Sequence, residues 1–257
     1  MFRALILSTI FFLNVSQAEP FSIPTLDSTQ TDAAVRTFAN SFTFRSVEPA
    51  SDLGRVWGFY IGAGANLNSL SAVSTVFNGV TTPFIPTGDI QVGLTIPFGL
   101  TVELGVLPPL SFNGASFKRY AGNVKWKFNS LIFPEYLFDL SARVGYSFGN
   151  LNFTQNTGTV INVDYGGTML SAQLLASRSF LFFEPYIGLG FANAASTLTG
   201  TGGTPLFTSG LVATSVSNLS FYFTGGLLLK FWVIGLGAEF DSLFGITSWN
   251  FKFSVRI

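Results

Sequence analysis

Cysteine and histidine are both absent from the chain. Without cysteine there are no disulfides, no thiolate metal ligands and no lipid-modified N-terminal thiol. Without histidine the commonest general base and metal ligand is missing, so neither a metal nor another cofactor is expected. Charge is scarce as well: charged residues make up 10% of 257, against about 25% in a typical soluble protein. Thirteen Lys and Arg cancel thirteen Asp and Glu without forming a basic cluster, which argues against nucleic acid as a partner. Long apolar runs are also missing. No stretch of about 18 apolar residues occurs, so a helical membrane span is not available.

What the chain has instead is dispersed apolar surface. Hydrophobic residues reach 48%, and phenylalanine alone contributes 30. Only helices and closed barrels satisfy their backbone polar groups inside lipid, so this composition without a helical span points to strands. The sequence alternates accordingly. Trp249, Phe251, Phe253, Val255 and Ile257 interleave with Ser248, Asn250, Lys252, Ser254 and Arg256. Successive strand residues point to opposite faces, so one face here is wholly apolar. The same period of two recurs from Trp57 to Leu67, Asp89 to Ile96, Leu100 to Val106, Tyr120 to Phe128 and Phe138 to Phe148. It returns from Leu170 to Ser177, Glu184 to Phe191, Leu219 to Lys230 and Ile234 to Asp241. The pattern predicts an all-β protein: a transmembrane antiparallel up-and-down β-barrel of about ten strands, with eight or twelve as alternatives.

Two earlier segments have a different texture. Met1–Ala18 reads as a cleaved signal peptide, with Arg3, the apolar stretch Ala4–Leu13 and a small-x-small site at Ser16-Gln17-Ala18. Residues 19–54 carry Pro20, Pro24 and Pro49 and little alternation. They are expected as a periplasmic tail or as a plug inside the barrel, with Asp32–Asn40 as two turns of helix capped by Thr31. Phe42 and Phe44 are candidates for an extra strand. The barrel itself is then 55–257.

Short connections at Pro97–Gly99, Asn129–Glu135, Arg178–Phe182 and Phe231–Val233 alternate with longer ones at Asn68–Gly88, Pro108–Phe117, Gly149–Asp164 and Asn193–Thr214. Periplasmic turns and external loops alternate in this way. Trp57, Trp126, Phe128, Phe180, Phe182, Phe231 and Trp232 gather beside the short turns as one headgroup girdle; Tyr165, Phe191, Phe240 and Trp249 supply the other. A soluble barrel fills its inside with the large apolar side chains. Here the polar face is largely glycine and hydroxyl, a poor coat against water, so the apolar face is assigned to lipid. The lumen then receives Asp89, Glu103, Asp139, Glu184, Glu239 and Asp241 with Lys125, Lys127, Arg143, Lys230, Lys252 and Arg256. These charges either pair across the lumen or line a polar passage. About ten strands lie near the filled end of barrel sizes, so a passage would be narrow or gated by residues 19–54.

A chain that finishes in a period-two, aromatic-rich strand resembles bacterial outer-membrane β-barrels, here with Ile257 as the final residue. The resemblance implies the outer membrane of a Gram-negative bacterium, surrounding outer-membrane lipid, and recognition of the C-terminal strand by the barrel-assembly machinery. The external loops are oddly apolar, with Val76, Phe77, Phe84, Leu206 and Phe207 as candidates for binding a hydrophobic solute or a partner surface. In joining apolar loops to an N-terminal plug, the chain resembles in architecture the long-chain fatty-acid transporter barrels. The barrel enzymes of that membrane use histidine, so no enzyme is expected and no catalytic residue is assigned. Glu239 and Asp241, two apart on the inward face, could split their pKa values as an acid–base pair but read more simply as partners for lumen lysines. The functional expectation is a narrow or gated porin-like channel or transporter for small solutes, hydrophobic ones included. The alternative is a closed structural or surface-binding barrel with no transport.

Overall fold

The computed structural model describes residues 28–54, 57–69, 84–112, 115–128, 138–156, 160–202 and 213–257. Their order is α1 (Ser28–Phe42), β1 (Gly58–Ser69), β2 (Phe84–Ile96), β3 (Leu100–Phe112), β4 (Ala115–Lys127), β5 (Asp139–Asn156), β6 (Val160–Ser177), β7 (Phe183–Gly202), β8 (Ala213–Phe231), β9 (Ile234–Leu243) and β10 (Ile246–Arg256). The ten strands pair in sequence order, all antiparallel, and β1 closes the sheet against β10. At the seam Phe59 and Ile257 each donate an N–H to the other's carbonyl at 2.9 Å. Closure pairs the strand edges, which hydrocarbon could not solvate. The hairpins turn tightly: Phe98 and Gly99, and again Phe244 and Gly245, have positive φ, the twist that two-residue turns need.

Alternation sorts the faces as lipid requires. On β7, Ile187, Leu189 and Phe191 stand outward at 57, 48 and 59% exposure, whereas Glu184 and Tyr186 are buried inside. On β10 Trp249, Phe251 and Phe253 face out while Asn250 and Lys252 are buried. Water would penalise such a belt by about 25 cal/mol for each Å² of apolar surface; hydrocarbon does not. The belt starts at the turn tips themselves, where Phe98, Leu181 and Trp232 are almost fully exposed. It ends where the outward residues become Lys118, Asn150, Thr168, Asn193 and Ser217. From Leu181 to Phe191 is roughly 25 Å of tilted strand, the height of a barrel's apolar band.

Above that band four strands continue. β5 and β6 have 18 residues each, β7 has 20 and β8 has 19, against 10 in β9 and 11 in β10. Much of Gly149–Asp164 and Asn193–Thr214, expected as loops, is therefore strand, and most of Pro108–Phe117 is taken up by β3 and β4. The period of two persists there, but its polarity swaps. Asn152, Thr154, Asn162, Asp164 and Thr197 now face out, and Val163, Tyr165, Met169, Ala194 and Leu198 are buried inside. Water meets this upper wall, so it follows the soluble rule. Tyr165, expected in the outer girdle, points inward instead, its hydroxyl 2.7 Å from Ser196 Oγ. Phe84 opens β2 opposite Ser69 and is half-buried rather than on a loop; Val76, Phe77, Leu206 and Phe207 lie outside the described residues.

The helix is longer than expected. It begins at Ser28, and Thr31, expected as its cap, is buried within it. Thr37, Ser41 and Thr43 turn their hydroxyls back to the carbonyls of Ala33, Thr37 and Ala39, a local use of polar side chains compatible with helix. Phe42 ends α1, and Phe44 lies in the lumen rather than in an extra strand.

Candidate functional site

The inside of the barrel is occupied by the chain's own N-terminal segment. From Thr37 to Ser51 every residue is buried. Val35, Phe38, Ala39 and Phe42 recur at helical spacing and form the apolar stripe of α1. Ala39 packs with Met169, Ala192, Ala194, Tyr222, Leu243 and Phe244. The rings of Phe38 and Phe42 sit 5.2 and 5.3 Å from that of Tyr165, and Phe42 meets Phe117 edge-on at 4.7 Å. The polarity swap of the upper wall thus gives α1 an apolar seat.

Below Phe42 the segment makes no strand, and its buried carbonyls need donors from elsewhere. The lumen supplies them in a descending series. Arg119 Nη1 donates to the carbonyls of Ser41 and Thr43 at 3.1 and 2.9 Å, and Ser147 Oγ to that of Phe42 at 2.7 Å. Gln91 Nε2 donates to the Arg45 carbonyl at 2.8 Å and Lys252 Nζ to that of Ser46 at 2.9 Å. Lys125 Nζ reaches the carbonyls of Pro49 and Ser51, both at 2.7 Å. At the inner end Thr95 Oγ1 accepts the N–H of Leu53 at 3.2 Å.

Charges on the segment complete the docking. Arg45 forks onto Asp241 at 2.5 and 3.2 Å and also holds Asn40, whose carbonyl and side-chain oxygen both accept at 2.8 Å. A two-pronged guanidinium–carboxylate contact of this kind is strong and directional. Glu48 Oε1 accepts from Lys252 Nζ at 2.5 Å and from Arg256 Nη2 at 2.6 Å. Lys252 also lies 3.5 Å over the ring of Tyr60, whose hydroxyl donates to Glu103 at 2.9 Å. Between these anchors Val47 has φ +50°, a left-handed backbone costly for a β-branched residue and tolerated where surroundings over-determine it. Inward glycines make the room: a Cβ on Gly105 would lie 2.3 Å from Phe44, one on Gly149 2.4 Å from Phe42, and one on Gly237 2.7 Å from Val47.

All twelve expected lumen charges face the inside, but few pair with one another. Lys127 reaches Asp139 at 2.8 Å, and Lys230 pairs with Glu184. Glu184 also accepts from Ser51 Oγ at 2.9 Å. Asp89 takes Arg119 at 2.5 Å, and Arg143 donates to Gln173 and to Ser46 Oγ at 2.8 Å. Glu239 accepts from the hydroxyl of Tyr186 at 2.9 Å, and Asp241 from Arg45 and Asn250; both carboxylates are fully engaged by the chain's own donors. The sequence pattern misses Arg45, Glu48 and Arg119. Arg119 falls one residue before the apparent start of its strand at Tyr120, and the other two precede any alternation. The inward glycines were the legible signal, since they mark where a second layer approaches the wall.

The geometry defines a closed, internally filled transmembrane-type β-barrel. The chain belongs to the family of unknown function DUF6588, which matches residues 4–250. No match is found among curated proteins. Solved structures similar to it are bacterial outer-membrane barrels. The translocator domain of the autotransporter NalP from Neisseria meningitidis is 9% identical over 88% of this chain and 94% of that one, with a TM-score of 0.47. Ail, the attachment invasion locus protein of Yersinia pestis, is 11% identical over 79% of this chain and 100% of its own, at 0.37. Neisserial surface protein A is 10% identical over 78% and 96%, at 0.34. At such identities a shared barrel says nothing about shared activity.

Proposed function

We propose that this chain is an outer-membrane β-barrel of a Gram-negative envelope that is closed at rest by its own N-terminal segment and serves as a non-conducting, surface-facing barrel. One observation carries the reading: the carbonyls of Ser41, Phe42, Thr43, Arg45, Ser46, Pro49 and Ser51 are taken by lumen donors, and Glu103, Lys125, Glu239 and Asp241 are buried around the segment. A lumen of about ten strands has little cross-section beyond its own side chains, and the buried segment takes up part of what remains. Purified intact protein in planar bilayers is expected to give no current steps at low voltage. Ohmic steps under those conditions would contradict the closed state.

A second reading, a gated passage for small solutes, draws support from the chemistry of the docking. Side-chain-to-carbonyl bonds are ones that water can replace at modest cost, and Val47 stores backbone strain that release would relieve. This reading expects the same silent protein to open in discrete steps at high voltage.

A further inference from the structure

The segment has a direction, and the direction has a consequence for the cell surface. The tight turns at Pro97–Gly99, Leu181–Phe182 and Trp232–Val233 and the Phe59–Ile257 seam mark one end of the barrel; the polar extensions of β5–β8 mark the other, which on the outer-membrane reading is the outside. Asn40 donates to Ser248 at 2.9 Å and approaches Asn68, both near the outer ends of β10 and β1. Leu53 bonds Thr95 beside the inner turn. Chain order therefore runs from outside to inside. Asp32 lies higher still. It accepts from Asn218, which stands on β8 outward of Tyr222, the residue level with the outer end of β9. That offset is about 10 Å along the barrel axis.

Exposure along α1 agrees. Thr29, Asp32 and Arg36 share one face that is open or half-open to solvent, with Arg36 paired to Asp32 at 2.8 Å. That stripe stops at Arg36, and burial is continuous from Thr37.

We infer that the described chain enters its own barrel from the cell exterior: the N-terminal half of α1 is a surface element, held from within by the segment that follows it. This rests on the outer-membrane reading above. It also limits how the lumen can open. The inner end of the segment leads on to β1 at Gly58, so a pull from outside can lift α1 off its seat but leaves residues 43–54, about 40 Å of chain when drawn out, tethered at the inner rim. Clearing the lumen requires exit toward the periplasm.

The chain has no cysteine, so single introduced thiols report position cleanly. Full-length Thr29→Cys, Ser217→Cys, Ser179→Cys and Ser51→Cys variants are each expressed in a Gram-negative host and treated with a membrane-impermeant maleimide, on intact cells and after outer-membrane permeabilisation. The expected result is that Thr29→Cys reacts on intact cells to the same extent as Ser217→Cys on the outer wall. Ser179→Cys at the inner turn should react only after permeabilisation, and buried Ser51→Cys in neither case. If Ser217→Cys reacts on intact cells but Thr29→Cys only after permeabilisation, the inference is overturned and the outer-membrane orientation stands. If Ser179→Cys reacts on intact cells and Ser217→Cys does not, the orientation falls and the inference with it.

Discussion

Glu48 is the place to test whether the lumen is held shut by charge. Its carboxylate takes both Lys252 and Arg256 at 2.5 and 2.6 Å and is itself buried. Glu48→Ala removes one anion and leaves two cations facing an apolar methyl. Breaking a buried pair from one side costs about 3–5 kcal/mol. The low end applies here, because Lys252 keeps the Ser46 carbonyl and the Tyr60 ring and Arg256 keeps Ser254 Oγ. The wall strands pair without help from the segment, so the loss falls on docking rather than on the barrel. About 3 kcal/mol is roughly a hundredfold in the docking equilibrium. Reaction of Ser51→Cys with a small soluble maleimide reads that equilibrium, and heat-modified migration on gels checks that the barrel is intact. Thiol reactivity in the Glu48→Ala background should rise by about that hundredfold. Adding Lys252→Met should recover part of it by removing a stranded charge. An unchanged rate with an intact barrel would refute the idea that this carboxylate holds the segment.

Two further outcomes probe the packing and the membrane boundary. Gly105→Val forces a side chain into Phe44, which already stands 2.3 Å from the position of a Cβ; overpacking of this kind costs about 1–3 kcal/mol. Its effect on Ser51→Cys reactivity should be reversed by Phe44→Ala, and failure of that rescue would mean that Gly105 does not cradle the segment. Leu189→Arg places a charge on the apolar belt and should destabilise the barrel by about 2–4 kcal/mol, while Asn193→Arg, beyond the belt's edge, should cost about 0–1 kcal/mol. Guanidinium titration of protein folded into lipid vesicles measures both, and equal losses would put the boundary elsewhere.

The wall is legible residue by residue in the alternation of the amino-acid sequence. Trp249 to Ile257 alternate because a strand in lipid must turn every second side chain toward hydrocarbon, and low charge with no long apolar run leaves strands as the remaining way across. The upper wall was hidden by the same rule. Above the band the polarity of β5–β8 reverses, so Tyr165 and Met169 face inward and a stretch that looks like loop is sheet. What the inward face meets could not be read from periodicity at all. A period of two tells which residues share a side, whereas Arg45 with Asp241 and Glu48 with Arg256 join positions about two hundred residues apart. Such pairings depend on the closed curvature of the wall, and only the folded chain brings residues 37–51 against it. The amino-acid order carries the cylinder and its orientation toward lipid; the three-dimensional arrangement adds that the cylinder is filled, and by a segment that runs through it from the extended ends of β5–β8 to the turn at Pro97–Gly99.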